Sequence, residues 1–376
     1  MLSLYIHIPF CVSKCPYCAF YSTHYNSAIA DRYLAALDIE MKSRISDLQG
    51  QQVGCIYIGG GTPSTLQPDQ FNRLFDCIDH HVAVEADAEI TIEANPNTAS
   101  PETLALLKSR GVNRLSIGVQ SFADPVLVSI GRAHSAGDAL AAVHAARAAG
   151  FGNIGIDLMY GIPGQNDQHW QSTLETALSL QLEHLSVYSL SLDDGSQLSQ
   201  DARAGRESLP DDDAVSGMYH TAVESLAAAG YRHYEISNFC IPGRECRHNS
   251  HYWDRGEYVG FGSAAWSFIG NNRFATVANV TEYIARMSNG INAVETMEVL
   301  DRDQAASEIL LLGLRRTAGV DLVKFAQLFG TVTTDEVMKK VRKLDGSGLF
   351  KIDHSRLSLT LRGFLLSNDA LAAILP

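Results

Sequence analysis

The sequence lacks the features of a membrane-spanning or secreted protein. It has no apolar run near the roughly 20 residues that a transmembrane helix needs. No basic segment followed by an apolar stretch comes before the first cysteines, and seven cysteines are an odd number for a disulfide framework. We therefore expect a reduced, cytoplasmic protein without a transmembrane segment.

Positive charge is also scarce. The 376 residues include 29 lysines and arginines against 42 aspartates and glutamates, which gives a formal net charge of −13. Proteins that bind a nucleic-acid backbone normally carry a basic face. The acidic balance therefore argues against nucleic acid as a partner, and against a DNA-binding winged-helix protein as the function.

Strand and helix patterns alternate from the N-terminus to about residue 200. This alternation is typical of a parallel α/β sheet. Six units are too few for an eight-stranded barrel, so the pattern predicts an open partial (β/α)6 barrel whose lateral gap is covered by later elements. The predicted strands are 4–8, 55–58, 89–93, 114–119, 155–159 and 184–189, and the predicted helices are 29–48, 68–80, 101–110, 136–149 and 170–180.

The rest of the chain predicts two further regions. A polar stretch at 193–213 marks a boundary, and the predicted division is a barrel at 1–200, a barrel extension at 201–290 and a C-terminal domain at 291–376. The segment 244–270, rich in glycine, aromatics and histidine, predicts a functional loop. Helices near 304–314, 322–329 and 335–345, followed by strands at 349–352 and 356–359, predict a small winged-helix-like domain.

The most informative motif is a set of three cysteines, Cys11, Cys15 and Cys18, after the first predicted strand. Soft thiolates select zinc, Cu(I) or iron–sulfur clusters. A structural zinc site normally takes four protein ligands, and no second cysteine pair follows at a suitable spacing. The motif therefore predicts a [4Fe–4S] cluster whose fourth iron is free to bind a small molecule. The other cysteines are expected to be small buried hydrophobes: Cys55, Cys77, Cys240 and Cys246.

Glycines and polar residues at the ends of later strands predict the rest of a ligand site. The turn GGGTP at 59–63 follows the second strand and lets a ligand approach the backbone. Because the C-terminal ends of parallel strands share one rim of a barrel, Glu93, Gln120, Arg132 and Asp157 are expected to lie together. Glu93 is suited to accept hydrogen bonds from an amino group or a ribose, and Arg132 to pair with a carboxylate.

These motifs together carry a resemblance to a known family. The cysteines resemble the CxxxCxYC signature of the radical S-adenosylmethionine (SAM) superfamily, in which SAM chelates the open iron. Over nearly its whole length the chain resembles the oxygen-independent coproporphyrinogen III oxidase-like branch of that superfamily, and within it the HemW family of haem chaperones. The likeness is carried by LSLYIHIPFCVSKCPYC, YIGGGTPS, ITIEANP, RLSIGVQSF, IDLMYGIPGQ, YRHYEISNF, RHNSHYW and SLTLRGFLLSN.

The resemblance implies a set of binding residues. The three cysteines would ligate the cluster, and Tyr17 would offer a flat face to the adenine of SAM. The positions that match residues around SAM are Tyr5, Gly60, Gly61, Thr62, Glu93, Gln120, Arg132 and Asp157.

The stretch HNSHYW at 248–253 matches a motif that the resemblance associates with haem binding. Haem needs an axial imidazole and an apolar or aromatic lining, and this stretch has both. His248 is the expected ligand and His251 is a second candidate. The competing interpretation is a histidine that orders its loop by hydrogen bonding to the backbone.

The sequence departs from the family pattern at two positions. Ala19 stands where the family commonly has an aspartate, and in the GxGAHS-like stretch at 260–267 Trp266 replaces the histidine of the family, which is missing here. The role of that histidine therefore cannot be transferred to this chain. The CxC extension and longer N-terminal arm of the true coproporphyrinogen III dehydrogenase are also missing, so that activity is not expected.

Two functions follow from the resemblance. The leading hypothesis is a haem chaperone that binds a [4Fe–4S] cluster, SAM and haem, and transfers haem to an acceptor haem protein of the respiratory or membrane-associated kind. The alternative is a HemW-like radical SAM methyltransferase or cyclopropanase that uses two SAM molecules to modify an sp² carbon.

Overall fold

The structure, a computed structural model, describes residues 2–48 and 50–375. This part of the chain contains seventeen strands and fifteen α-helices. The strands are β1 (Leu2–Ile8), β2 (Phe10–Cys11), β3 (Thr23–His24), β4 (Val53–Gly60), β5 (Val84–Ala94), β6 (Arg114–Gln120), β7 (Ile154–Tyr160), β8 (His184–Ser189), β9 (Arg232–Glu235), β10 (Asn238–Cys240), β11 (Tyr258–Phe261), β12 (Trp266–Ile269), β13 (Asn272–Thr276), β14 (Val294–Val299), β15 (Val320–Asp321), β16 (Phe350–Asp353) and β17 (Arg356–Leu359). The helices are α1 (Ser27–Ser43), α2 (Pro68–His81), α3 (Pro101–Ser109), α4 (Asp124–Ser129), α5 (Ala136–Ala148), α6 (Asp167–Ser179), α7 (Gln197–Arg203), α8 (Asp212–Ala228), α9 (Arg247–Trp253), α10 (Val280–Ser288), α11 (Arg302–Gly313), α12 (Leu322–Phe329), α13 (Thr331–Lys343), α14 (Leu361–Leu365) and α15 (Ser367–Ile374).

Twelve strands form one sheet, in the order β14-β13-β12-β11-β1-β4-β5-β6-β7-β8-β10-β9. The seven strands from β11 to β8 in this order run parallel to their neighbours. Antiparallel strands extend both edges of this parallel block. The six predicted strands are confirmed as β1 and β4 to β8, and they are adjacent in that order.

The prediction of a loop at residues 244–270 is wrong. This segment contains α9, β11 and β12. β11 lies parallel to β1, with Gly260 opposite Tyr5. A Cβ atom at Gly260 would overlap the carbonyl oxygen of Trp266, so only glycine allows this close approach. The later chain therefore supplies a seventh parallel strand, on the free side of β1.

The predicted helices begin and end close to the residues that the sequence indicates. At α3 the hydroxyl of Ser100 accepts a hydrogen bond from the N–H of Thr103, and Pro101 is the first helical residue. Gly111, with φ of +90°, follows the helix and lets the chain turn toward β6. Helices of this kind cover the outer face of the sheet, where the alternate strand residues Leu4, Ile58, Ile92, Ile117 and Ile156 are buried.

The C-terminal part contains a separate small sheet. β15, β17 and β16 pair antiparallel in that order, beside α12 and α13. The three predicted helices and two predicted strands are present here, and the short β15 is an addition. The predicted domain boundaries near residues 200 and 290 stay predictions. Among the described residues, no helix is long and apolar enough to cross a membrane.

Candidate cofactor site

The three cysteines lie on the loop that follows β1. Cys11 ends β2, and the N–H of Cys18 donates a hydrogen bond to the carbonyl of Cys15 (3.1 Å). All three thiols are free and partly exposed, and burial raises the pKa of Cys18. Three accessible thiols on one short loop are the donor set that fits three irons of a [4Fe–4S] cluster.

Two residues from elsewhere in the chain join this loop to the rim of the barrel: Thr62 follows β4 directly, whereas Arg132, predicted at a strand end, follows the short helix α4. The hydroxyl of Thr62, after β4, lies 3.5 Å from the Cys11 sulfur. The Arg132 guanidinium, after β6, lies 3.6 Å from the Cys15 sulfur. The structure therefore brings the cysteine loop together with two of the residues predicted to surround SAM.

The glycine turn after β4 encloses the carboxylate of Glu93. Glu93 accepts hydrogen bonds from the N–H of Gly60 (3.0 Å) and from the hydroxyl of Tyr57 (2.8 Å). A Cβ atom at Gly59 would lie 2.8 Å from the Glu93 carboxyl carbon. Any side chain at Gly59 would therefore displace this carboxylate from the rim. Gly61 is equally confined, because its Cβ would lie 2.8 Å from the backbone nitrogen of Phe10.

Two carboxylates share the interior of the barrel. Burial, with a smaller contribution from Asp157, raises the pKa of Glu93 to about 7. Burial also raises the pKa of Asp157, whose carboxylate accepts a hydrogen bond from Ser116 (3.2 Å). A cation placed between such groups would favour their charged forms. The pair therefore suits a ligand that carries an amino group.

Arg132 and Gln120 meet at Gly118, near the end of β6. Arg132 donates to the Gly118 carbonyl (2.5 Å), and its buried Nε makes no hydrogen bond within the described part of the chain. Gln120 has φ of +68°, which directs its side chain back over Gly118, where an added Cβ would lie 3.0 Å from the amide nitrogen. The spare donor of Arg132 suits a carboxylate ligand.

Tyr17 lies on the cysteine loop beside a small apolar cluster that includes Val126, Ile130 and Met159. Burial raises its pKa, with the Arg132 charge opposing. One side of the ring packs against this cluster. The contact of the ring with adenine stays a prediction.

The structure places His248 at the other end of the barrel. Its Nδ1 lies 2.6 Å from the hydroxyl of Ser3, near the start of β1, and the ring is 2% exposed. Ser3 and Ile8, where the cysteine loop starts, are five residue steps apart along β1, which corresponds to roughly 17 Å. The ring stacks on Tyr57 (4.8 Å between centroids) and Tyr5 (6.1 Å). Helix α9 therefore closes the N-terminal end of the barrel, and His248 is enclosed beneath it.

Burial keeps His248 neutral, since it lowers the pKa of this imidazole to about 3. His251 is bonded to the backbone, with Nε2 2.7 Å from the carbonyl of Glu257. Trp266 is 43% exposed. Because strand residues alternate between faces, Trp266 lies on the face opposite Ser267, whose hydroxyl contacts Arg44, the residue that follows α1. The indole therefore points away from the outer helices.

Sequence reasoning missed Tyr57 and His7. Tyr57 connects Glu93 at the rim to His248 at the opposite end, and His7 lies against the turn at Gly60. The signal for Tyr57 was its spacing, because residues 57 and 59 point to the same face of β4. The signal for His7 was the same, because residues 5 and 7 point to the same face of β1 and Tyr5 was already predicted to lie in the site.

Comparison with known proteins defines the class. Residues 5–177 match the radical SAM superfamily and residues 300–366 match the HemN C-terminal domain. The fold is that of a radical SAM α/β barrel with a small C-terminal domain: the solved structure of coproporphyrinogen III oxidase (HemN) from Escherichia coli, described as a radical SAM enzyme, superposes with a TM-score of 0.88. That comparison has 26% identity and covers 100% of this chain and 90% of the other.

Curated relatives define the family within this class. The chain is 40% identical over 377 residues to the haem chaperone HemW of Bacillus subtilis (strain 168), covering 100% of this chain and 99% of the relative. It is 37% identical to the haem chaperone HemW of Lactococcus lactis subsp. lactis (strain IL1403), covering 98% and 95%. The chain belongs to the HemW family.

Proposed function

We propose that this chain binds a [4Fe–4S] cluster and SAM at the rim of the barrel, binds haem, and transfers the haem to an acceptor haem protein. The observation that carries the cofactor assignment is the joining of the cysteine loop to the SAM-type residues through Thr62 and Arg132. The haem assignment rests on full-length similarity to proteins named haem chaperone.

The residues of the rim have separate roles in this proposal. Cys11, Cys15 and Cys18 hold the cluster, which when bound offers one iron to the amino and carboxylate groups of SAM. Arg132 pairs with the SAM carboxylate through its spare donor. Glu93 accepts from the SAM amino group or ribose, and the turn of Gly60, Gly61 and Thr62 supplies backbone polar groups. The remaining members are Tyr5, Tyr17, Gln120 and Asp157.

Haem is the cargo, and His248 stays the proposed ligand. For iron to reach this imidazole, α9 would have to move away from β1 and break the contact with Ser3. A cavity of about 660 Å³ runs along α9 and is lined by Arg247 of this helix and by Lys108 and Arg244. The anions Asp87, Glu89 and Glu245 line the same cavity, and Arg247 pairs with Asp87 (3.3 Å). Lys108 and Arg244 are therefore the cations left to face a haem carboxylate. The cavity therefore offers a docking place next to the helix that must move.

Haem titration of the cluster-loaded protein tests this function. We expect saturable growth of a Soret band at one haem per chain, and weaker haem affinity in His248→Gln. His144→Gln, an exposed histidine of α5, serves as the control and should bind haem like the parent. Unsaturable uptake by the parent would contradict haem binding, and equal affinity in both variants would remove His248 as the ligand.

The methyltransferase alternative has a different product. Anaerobic incubation with SAM, a reductant and an sp²-carbon substrate would then form S-adenosylhomocysteine, whereas a chaperone would release none. Cys11→Ala should lose the brown colour of the cluster in either case. A full cluster in that variant would contradict the ligand assignment.

A further inference from the structure

We propose that a zinc ion binds on the outer surface of the barrel, between α1 and α2, through Asp38, Cys77 and His81. A carboxylate oxygen, a thiol sulfur and an imidazole nitrogen of these residues all lie within 4.8 Å of one another. The proposal goes beyond the haem chaperone function and concerns a surface that the cofactor site does not use.

The two helices direct the three side chains to one point. Cys77 and His81 are four residues apart on α2, so they lie on the same helical face one turn apart. Asp38 reaches the same point from α1, where one of its carboxylate oxygens lies 2.8 Å from His81 Nε2. The Cys77 sulfur also lies 3.3 Å from the sulfur of Met41, one turn further along α1. Small rotations of three side chains would bring their donor atoms around one ion.

Burial fixes two of the three donors and leaves the third open to solvent. Cys77 is 8% exposed, and the side chain of His81 is also 8% exposed, so packing fixes both. The side chain of Asp38 is 54% exposed, which gives an ion access from solvent. An ordinary buried cysteine packs against apolar groups, whereas this one faces a carboxylate and an imidazole. The set therefore differs from Cys55 and Cys240, which belong to no such group of three donors among the residues that the structure describes.

The chemistry of the donors selects zinc. Zinc accepts thiolate, imidazole and carboxylate ligands together, and sites with three protein ligands keep a fourth position for water. Magnesium and calcium prefer oxygen ligands alone, and Cu(I) prefers thiolate and thioether over carboxylate. Burial and the nearby Asp38 charge raise the pKa of the Cys77 thiol to about 12, so zinc binding must release its proton.

The site is remote from the cysteine loop. α2 ends at His81 and β5 begins at Val84, so His81 lies at the N-terminal end of the strands, whereas the cysteine loop follows the C-terminal end of β1. Zinc bound here would link α1 to α2 and stabilise the outer layer of the barrel.

The test uses the protein loaded with its cluster and SAM, so that Cys11, Cys15 and Cys18 are occupied. After removal of weakly bound metal, zinc is added in competition with a chromophoric chelator. The number of zinc ions bound per chain and the zinc affinity are measured. We expect one zinc per chain, and at least roughly tenfold weaker affinity in Asp38→Asn, Cys77→Ser and His81→Gln. The same zinc addition should raise the melting temperature of the parent more than that of Asp38→Asn.

The control is His80→Gln, which removes the neighbouring imidazole outside the donor set and should keep the parent's affinity. Cobalt in place of zinc provides a direct signature, because a thiolate-to-cobalt charge-transfer band should appear in the parent and be absent in Cys77→Ser. If the buried variants misfold, Asp38→Asn decides, since its carboxylate is mostly exposed. Failure of the parent to retain zinc, or unchanged affinity in Asp38→Asn, would overturn the proposal. Haem uptake is read separately, so the chaperone function can stand or fall on its own.

Discussion

Gly60 shows how one residue sets the geometry of the SAM-type turn. Its φ is +110°, a region that side chains rarely adopt, and an added Cβ would overlap the ring of His7. Gly60→Ala should therefore destabilise the protein by about 1–3 kcal/mol from backbone strain, with a further loss from displacement of His7. SAM affinity should fall as well, because the N–H of Gly60 holds the Glu93 carboxylate. Urea unfolding and SAM titration measure the two effects.

Gly230 provides the matched control for this substitution. It has φ of +86°, and an added Cβ there would meet nothing within 4 Å. Gly230→Ala should therefore show backbone strain alone, with SAM affinity unchanged. Equal losses of stability and affinity in the two variants would mean that the His7 contact plays no part.

At the scale of elements, a buried carboxylate holds α1 and α10 against the turn that follows β11. Glu40 of α1 is fully buried and accepts hydrogen bonds from Arg44 (2.5 Å), from the N–H of Gly262 (2.8 Å) and from the hydroxyl of Tyr283 on α10 (2.6 Å). Removing the Glu40 charge leaves the buried Arg44 compensated only by Asp47, which lies 2.8 Å from its Nε. Glu40→Gln should therefore cost about 3 kcal/mol in the free energy of unfolding.

An exposed pair on α10 is the control for this measurement. Glu282 and Arg286 form an i,i+4 ion pair at 2.5 Å, and the Glu282 side chain is 46% exposed. Glu282→Gln should change stability by no more than about 0.5 kcal/mol, because solvent screens such pairs. Urea unfolding of both variants gives the comparison, and a loss in Glu40→Gln as small as in Glu282→Gln would show that this network does not hold the elements together.

The elements that sequence reasoning found are those with local signals. β1 and β4 to β8 are apolar runs separated by helices. The cap residue Ser100, followed by Pro101 at the first helical position, marks the start of α3. The adjacency of Gly60 and Glu93 also followed from the sequence, because both stand at the ends of neighbouring parallel strands.

The elements that sequence reasoning missed depend on distant contacts. β11 has only four residues, one of them Gly260. It forms a parallel strand because it pairs with the free edge of β1, which lies more than 250 positions earlier in the sequence. His248 looks like a loop histidine from its polar neighbours, and only the stacking on Tyr57 and Tyr5 shows that α9 closes the barrel. No local pattern encodes either arrangement.

At the scale of the whole molecule, the outer edge of the sheet meets the C-terminal part of the chain at β9. The N–H of Ile236 donates to the carbonyl of Arg315 (2.8 Å), and the N–H of Thr317 donates to the carbonyl of Tyr234 (3.2 Å). Glu235 lies between these two bonds, bridges Arg316 through its backbone, and is 1% exposed. A charge on Glu235 would therefore sit at the junction of barrel and C-terminal segment.

This junction gives stability a defined dependence on pH. Burial raises the pKa of Glu235 to about 7, whereas the unfolded chain has the ordinary value near 4.5. Between these two values the folded state holds the proton that the unfolded state has released, so stability falls as pH rises through this window. Glu93 has the same pKa of about 7 and acts in the same direction. Glu235→Gln removes one of these penalties, so we expect the cofactor-free variant to be about 3 kcal/mol more stable than the parent at pH 8 and only about 1 kcal/mol more stable at pH 5. Urea unfolding midpoints at both pH values measure this difference, with Glu224→Gln, an exposed position on α8, as the control that should show no such dependence. A variant no more stable than the parent at pH 8 would mean that the Glu235 carboxylate is accommodated in its charged form, with the junction supplying hydrogen bonds that offset its burial.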